Sequence, residues 1–141
     1  MTADSGDEHV RWSCYRTAMA SPDAWATLKK DLEAEPDPAV ASSAVLRMLE
    51  RLPVDEHESW IRVLAFERGR DVAQRRSQDL RTLNSPLEFE GELDPDEWSD
   101  WLQRRMVEQR TDPPLLDLLS RRGRTKRVRN AAAVRLRTLR K

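Results

Sequence analysis

Cysteine and glycine are scarce in this sequence, and long apolar runs are absent. The single cysteine, Cys14, has no partner for an internal disulfide, so we expect a reducing, cytoplasmic environment. With four glycines, the chain has no G-x-G-x-x-G or G-x-x-x-x-G-K loop, which excludes enzymes that hold phosphates in this way. No run of about 18 apolar residues is present to cross a membrane, and the acidic Met1–Glu8 lacks the basic and apolar parts of a signal peptide. We therefore expect a cytoplasmic protein without membrane contact.

Charge is balanced overall but unevenly distributed along the chain. The formal net charge is zero, yet residues 121–141 hold ten Arg or Lys and no Asp or Glu. The first 120 residues consequently carry 15 basic against 25 acidic side chains. Arg outnumbers Lys by 21 to 4, which is typical of a GC-rich bacterial genome. An acidic body with a basic C-terminal segment is the main electrostatic feature of the sequence.

The placement of proline indicates helices throughout the chain. Proline is tolerated at the first helical position, where its missing N–H would have no partner, and a Ser or Asp before it can cap the free amides. This pair recurs four times, at Ser21-Pro22, Asp37-Pro38, Asp94-Pro95 and Asp112-Pro113.

The apolar spacing after these starts predicts one all-α domain, residues 1–141, with six or seven helices. We expect a short turn at 113–120, a loop at 84–93 and an Arg-rich C-terminal helix within 121–141. The predicted helices are 7–19, 22–34, 38–52, 56–68, 71–83, 95–110 and 126–139.

The segment 56–68 is apolar on nearly all sides, which is typical of a central helix. Gly69 follows this segment, and it either separates two helices or lies within one long helix. The sequence leaves both alternatives open. The residues that we expect to be buried are Leu49, Trp60, Leu64 and Trp101.

Two segments share an apolar stripe that is interrupted by small residues. Asp37-Pro38-Ala39-Val40 with Ala44, and Arg127-Val128-Arg129-Asn130-Ala131-Ala132 with Leu136, resemble the second helix of a HEAT-like or armadillo-like repeat. The resemblance covers about half of the chain and departs from the pattern at Arg76, where an alanine is expected. It implies a short α-solenoid of helical hairpins that serves as a protein-binding scaffold. A minority of such families bind nucleic acid through basic grooves.

Side chains with reactive groups do not form a recognisable catalytic motif. His9 and His57 each lie in an Asp-Glu-His-x-x-Trp stretch, and a metal site would need the two stretches to converge. We interpret the carboxylates as helix caps, the tryptophans as core residues and Cys14 as a buried thiol. We therefore expect no enzyme activity, no cofactor and no metal. The same capping interpretation applies to a crowded helix start formed by Asp94, Asp96, Glu97 and Asp100.

The loop 84–93 is a candidate for contact with another protein, because it combines apolar with acidic side chains and loops on a scaffold often carry recognition. Its candidate partner-binding residues are Leu87, Glu88, Phe89, Glu90 and Glu92. The basic segment can pair with phosphates, with an acidic partner or with the acidic body of the chain itself. Its candidate residues are Arg121, Arg122, Arg124, Lys126, Arg127, Arg129, Arg135 and Arg137.

Size, charge and helical pattern together favour a non-enzymatic protein–protein interaction module. A compact acidic protein of this length also resembles, in size and charge, a bacterial immunity or inhibitor protein that covers a toxin. The alternative is nucleic-acid binding through the Arg-rich C-terminal helix. For that alternative, residues 121–141 lack an aromatic side chain on which a base could stack.

Overall fold

The computed structural model describes residues 8–85 and 93–140, and all regular structure in these ranges is helical. The prediction of an all-α protein is confirmed. Eight α-helices are present in the described residues, with short 3-10 helices at Pro22–Ala24, Val54–Glu56 and Pro95–Glu97, so the predicted number of six or seven was too low. The α-helices are α1 (Glu8–Met19), α2 (Trp25–Glu33), α3 (Pro38–Leu49), α4 (His57–Ile61), α5 (Glu67–Asn84), α6 (Asp100–Gln109), α7 (Pro113–Arg122) and α8 (Lys126–Arg140).

Contacts between Cα atoms divide the chain into two compact units. The N-terminal unit comprises Met1–Gln78, and the C-terminal unit comprises Asp79–Lys141. The boundary falls within the sequence of α5, so no proline- or glycine-rich linker marks it. Each unit has its own set of buried apolar side chains.

The additional helix is α7, in the place of the predicted turn at 113–120. Proline occupies its first turn, where a missing N–H is tolerated. Leu115, Leu116 and Leu119 are buried, at the spacing of an amphipathic helix. The leucine-rich run is therefore the apolar stripe of a full helix, which packs against α8.

The predicted central helix 56–68 ends early, because α4 stops at Ile61 and α5 begins only at Glu67. In the turn between them, the carbonyl oxygen of Leu64 accepts a hydrogen bond from the Arg70 guanidinium at 2.9 Å. The two helices are therefore separate, and the separation lies before Gly69.

Gly69 lies inside α5 and does not break a helix. A Cβ atom at this position would lie 2.7 Å from the Oγ of Ser42 in α3. The glycine therefore permits a close approach of α5 to α3 within the N-terminal unit. The expected burial is confirmed for Leu49, Trp60 and Leu64, whereas Trp101 is only half-buried.

The proline starts are confirmed as the starts of helical turns, but only part of the predicted capping is present. Asp37 accepts a hydrogen bond from the Ala39 amide at 2.9 Å, and Asp94 accepts one from the Asp96 amide at 3.0 Å. Ser21 makes no capping bond through its side chain. Asp112 makes none either, and its carboxylate instead accepts a hydrogen bond from Arg110 Nε at 2.7 Å.

In the N-terminal unit, α1, α2 and α3 pack together, and α4 packs on α3. Small residues in α3 allow its neighbours to come close to its backbone. Most of the apolar core lies along these helices and the turn that follows α4. Its buried residues include Tyr15, Met19, Leu28, Leu32, Ala41, Ala44, Val45, Met48, Leu49, Leu52, Trp60, Ile61, Val63, Leu64 and Ala73.

Glu35 connects α1 to the start of α3. Its side chain has no exposed surface, and its carboxylate accepts hydrogen bonds from Arg11 Nε at 2.7 Å and from the Tyr15 hydroxyl at 2.8 Å. It also accepts one from the backbone amide of Asp37 at 2.7 Å. Burial alone raises the pKa of Glu35, but the hydrogen bonds from these three groups outweigh burial and lower the pKa below its usual value. Burial, and then the bond to Glu35, raise the pKa of Tyr15.

In the C-terminal unit, α6, α7 and α8 pack against one another. The fully buried Gln103 in α6 donates from Nε2 to the carbonyl of Pro95 at 2.7 Å and accepts from the amide of Arg124 at 2.9 Å. Its amide thus joins α6 to the turn that precedes α8. The buried apolar residues of these helices are Leu102, Met106, Val107, Leu115, Leu116, Leu119, Val128, Ala132 and Leu136.

Gly123 ends α7. Glycine is required here because a side chain would collide with its neighbours, and not because of the backbone conformation. Its φ of −54° is accessible to any residue. A Cβ atom there would lie 2.7 Å from the carbonyl oxygen of Leu119 and 2.8 Å from Cγ1 of the buried Val128. The absence of a side chain therefore permits the tight turn from α7 into α8.

The lowered pKa of Glu35 predicts that acid destabilises the protein. A group whose pKa is depressed by folding stabilises the native state above its unfolded pKa, which is about 4.3 for Glu, and this stabilisation is lost as the pH falls through the folded value. We expect the difference in unfolding free energy between wild type and Glu35→Gln to be largest above about pH 5 and to shrink below pH 4.3. Urea unfolding at a series of pH values measures it. A difference that does not depend on pH contradicts the ionised, bonded state of Glu35.

Candidate functional site

An open groove with a volume of about 510 Å³ lies on the N-terminal unit. The end of α2, the start of α3, the turn after α4 and the first turns of α5 form its walls. Leu32, Ala41 and Leu64 are buried and form its apolar base. At the rim, Phe66 is 60% exposed and Val72 is 47% exposed. We call this feature the N-terminal groove.

Phe66 is the largest exposed apolar side chain in the described part of the chain. In the predicted helix 56–68 it was part of a central apolar segment. Because α4 ends at Ile61, the turn carries Phe66 out of the core and onto the groove rim. The sequence provides no clear signal for this position, since its apolar neighbours Val63 and Leu64 are buried.

Two charged residues line the N-terminal groove without an ion-pair partner in residues 8–85 and 93–140. Glu33 and Arg68 are both exposed. Glu35 also lines the groove, but its carboxylate already accepts hydrogen bonds from Arg11, Tyr15 and the Asp37 amide. The groove therefore offers mainly apolar surface, with one free negative and one free positive charge beside it.

The predicted contact loop at 84–93 falls largely outside the described residues. Its five candidate residues, Leu87, Glu88, Phe89, Glu90 and Glu92, lie outside the described residues. The ends of the predicted loop are described: Asn84 is the last residue of α5, and Leu93 precedes the turn of Asp94.

The first part of the basic segment is paired with carboxylates of its own unit. Arg122 lies 3.3 Å from Asp94 and 3.5 Å from Asp96. Arg124 lies 2.8 Å from Asp100 and also donates to the carbonyl oxygens of residues 96 and 98. Arg121, at the end of α7, is paired with Asp117 at 2.8 Å. Three of the four carboxylates of the crowded acidic helix start are thus paired with Arg122 or Arg124.

The second part of the basic segment lies on α8 and differs in its contacts. Arg129 donates to the carbonyl of Gly123 at 2.7 Å, and Arg135 is half-buried. The exposed cations of α8 have no carboxylate within ion-pair distance among the described residues. They are Lys126, Arg127, Arg137 and Arg140.

The sequence prediction missed a buried pair of polar side chains, His57 and Ser77. Nε2 of His57 lies 3.3 Å from the carbonyl oxygen of Leu52. Nδ1 of His57 is hydrogen-bonded to the Ser77 hydroxyl at 2.8 Å. A serine bonded to a histidine is a nucleophile–base arrangement in some enzymes, but His57 is 1% and Ser77 5% exposed. A substrate has no access to this pair, so its role is to hold α4 to α5.

The other candidate reactive groups are dispersed. Cys14 is exposed, so the interpretation as a buried thiol was wrong, because the inward face of α1 carries Tyr15 and Met19 instead. His9 is exposed and His57 is buried. In the described ranges, no three His, Cys, Asp or Glu side chains are grouped so that they could hold a metal ion.

Comparison with known proteins adds no relative to this description. No family model, no curated protein and no solved structure matches the chain. Among residues 8–85 and 93–140, none of the helices combines the length and the apolar character that crossing a membrane requires. The function therefore has to be inferred from the groove and from the charges of α8.

The pairing within the basic segment predicts unequal effects of removing two neighbouring arginines. Arg124→Gln removes three side-chain bonds, so we expect the C-terminal unit to lose about 1 kcal/mol of unfolding free energy. Arg127→Gln, an equal change of charge at an exposed position, should stay within about 0.5 kcal/mol of wild type. Urea unfolding of both variants measures the difference. Equal stabilities contradict the assignment of Arg124 to the acidic cluster.

Proposed function

We propose that this chain is a non-enzymatic protein-binding module whose N-terminal groove receives apolar side chains of a partner protein. The observation that carries the proposal is the apolar groove with Phe66 exposed at its rim. Large apolar side chains exposed beside a concave apolar surface are typical of interaction sites. The proposal includes the HEAT-like scaffold that the sequence resembles, which remains a prediction.

The energetic argument rests on the surface that a partner would cover. Fully burying a phenylalanine stabilises a complex by about 1.5–3 kcal/mol relative to leaving it in water. With 60% of its surface exposed, Phe66 still has more than half of this gain available, roughly 1–2 kcal/mol. Val72 adds to it at the same rim. One aromatic anchor in a groove is the pattern in which a few residues supply most of the binding energy.

The free charges beside the groove would orient the partner. Glu33 attracts a basic residue of the partner, and Arg68 attracts an acidic one. An amphipathic helix or extended segment with an apolar stripe and opposite charges at its two sides fits this arrangement. Because both charges are exposed, they influence specificity and association rate more than affinity.

A cytoplasmic inhibitor of the bacterial immunity type is one form of this function. In that form the groove and its surroundings cover the working surface of the partner. The acidic balance of the first 120 residues supports it. Cytoplasmic location and bacterial origin are part of this proposal.

Replacing Phe66 tests the proposal directly. Phe66→Asp places a charge at the apolar rim but leaves the core intact, since most of this side chain is exposed. The matched control is Val54→Asp, an exposed apolar position of the same unit that does not line the groove. We expect a partner protein from the native host to co-purify with the wild type and with Val54→Asp. Its affinity for Phe66→Asp should be at least tenfold lower than its affinity for these two proteins. Equal affinity for all three proteins, or the absence of any partner, overturns the proposal.

Nucleic-acid binding through α8 is the second candidate, because four exposed cations of this helix have no acidic partner in the described residues. Each phosphate contact would release counterions, so duplex DNA affinity should fall steeply as salt rises. Replacing Arg127 or Arg137 by Gln should then reduce the slope of affinity against salt by about one. Titration of duplex DNA at several salt concentrations measures both quantities. The absence of binding at low salt excludes this candidate.

A further inference from the structure

A second groove, of about 490 Å³, lies on the C-terminal unit between α6 and α8. Val107 and Glu108 of α6 line one side. Val134, Arg135 and Thr138 of α8 line the other. Val134 is 53% exposed, so the groove has an apolar edge that is open to solvent. We call this feature the α6–α8 groove.

Arg135 differs from the other basic residues of α8 because its Nε is buried and has no hydrogen-bond partner among the described residues. By contrast, Arg129 donates to the carbonyl of Gly123, and Arg127 and Arg137 are exposed to water. The sequence gives all four the same chemistry, whereas in the structure Arg135 lines the groove with its Nε covered.

A buried donor without a partner destabilises the folded state, and buried charges in folded proteins are normally paired. A native structure with such a donor therefore requires an explanation, of which a bound acceptor is one. Glu108 lines the same groove but forms no ion pair with Arg135. An acceptor in the groove reaches Nε only if the Arg135 side chain moves out of its covered position.

We propose that Arg135 is the anion-recognition residue of a binding site for an acidic protein segment, which places an Asp or Glu carboxylate on the guanidinium and an apolar side chain against Val134. A guanidinium binds a planar carboxylate through two parallel hydrogen bonds, one of which uses Nε–H. Since Nε is covered, binding includes a rotation of the Arg135 side chain toward the groove. The site is independent of the N-terminal groove and adds a second recognition element to the protein.

Charge and lining favour a carboxylate over the phosphates of a nucleic acid. The α8 helix carries six basic and no acidic residues, and its field attracts acidic ligands of either kind. The lining of the groove, however, holds a single cation, Arg135, together with one glutamate, two uncharged polar residues and the apolar Val107, Ala131 and Val134. A singly charged carboxylate with an apolar neighbour suits this lining, whereas a nucleic-acid backbone suits a row of exposed cations.

The experiment follows the Nε–H signal of Arg135 by ¹H–¹⁵N NMR in the full chain. The probes are the peptide acetyl-Leu-Asp-Leu-Asp-Leu-amide, the same peptide with Asn in place of Asp, inorganic phosphate and a duplex DNA. We expect the Asp peptide to shift this signal and to bind at least tenfold more tightly than the Asn peptide. A signal that no probe shifts overturns the proposal and leaves a water molecule as the acceptor. A signal that phosphate or DNA shifts at lower concentration than the Asp peptide also overturns it.

Three variants separate recognition by the guanidinium from the effect of net charge. Arg135→Gln should weaken binding of the Asp peptide at least tenfold, and Arg135→Lys should weaken it similarly, because lysine keeps the charge but lacks the planar fork. Arg137→Gln, an exposed control on the same helix with the same loss of charge, should change affinity less than threefold. Equal losses in Arg135→Gln and Arg137→Gln overturn the proposal. If Arg135→Gln does not fold, Arg135→Lys and the wild-type titration decide.

Discussion

The N-terminal groove depends on the buried carboxylate of Glu35. This side chain receives hydrogen bonds from α1 through Arg11 and Tyr15, and from the amide that begins the α3 cap at Asp37. It therefore fixes the start of α3, which forms one wall of the groove. On the other wall, Gly69 permits α5 to approach Ser42 closely. The hydrogen bonds to Glu35 and the absence of a side chain at residue 69 together set the positions of the two walls beside this apolar surface.

In the structure, the basic C-terminal segment is not a uniform row of free positive charges. The arginines nearest α7 neutralise carboxylates of their own unit, as the salt bridges of Arg122 and Arg124 demonstrate. The basic segment is therefore divided into residues that stabilise the fold and residues that remain available on α8. Arg135 belongs to neither group, because its Nε is buried and has no partner among the described residues. This difference separates our proposed acidic-segment site from general attraction to phosphate.

The sequence predicts the helical class and most helix starts, because proline placement and apolar spacing are local properties of the chain. It does not predict that α7 is a helix, since the two prolines there look like a turn until the burial of its leucines is known. It also cannot predict the exposure of Phe66 or the burial of His57 with Ser77, because both depend on where the chain turns after α4. The sequence also does not predict that the Nε of Arg135 is buried, because the neighbouring Arg129 and Arg137 have the same side chain.

The central claim is that a partner protein covers Phe66, and ¹⁹F NMR of the chain labelled with 4-fluorophenylalanine tests it most directly. The sequence contains only two phenylalanines, so Phe66→Leu assigns the two signals. Addition of the partner protein recovered from the native host should shift and broaden the signal of residue 66. A signal at that position that stays unchanged while the partner is bound contradicts the account.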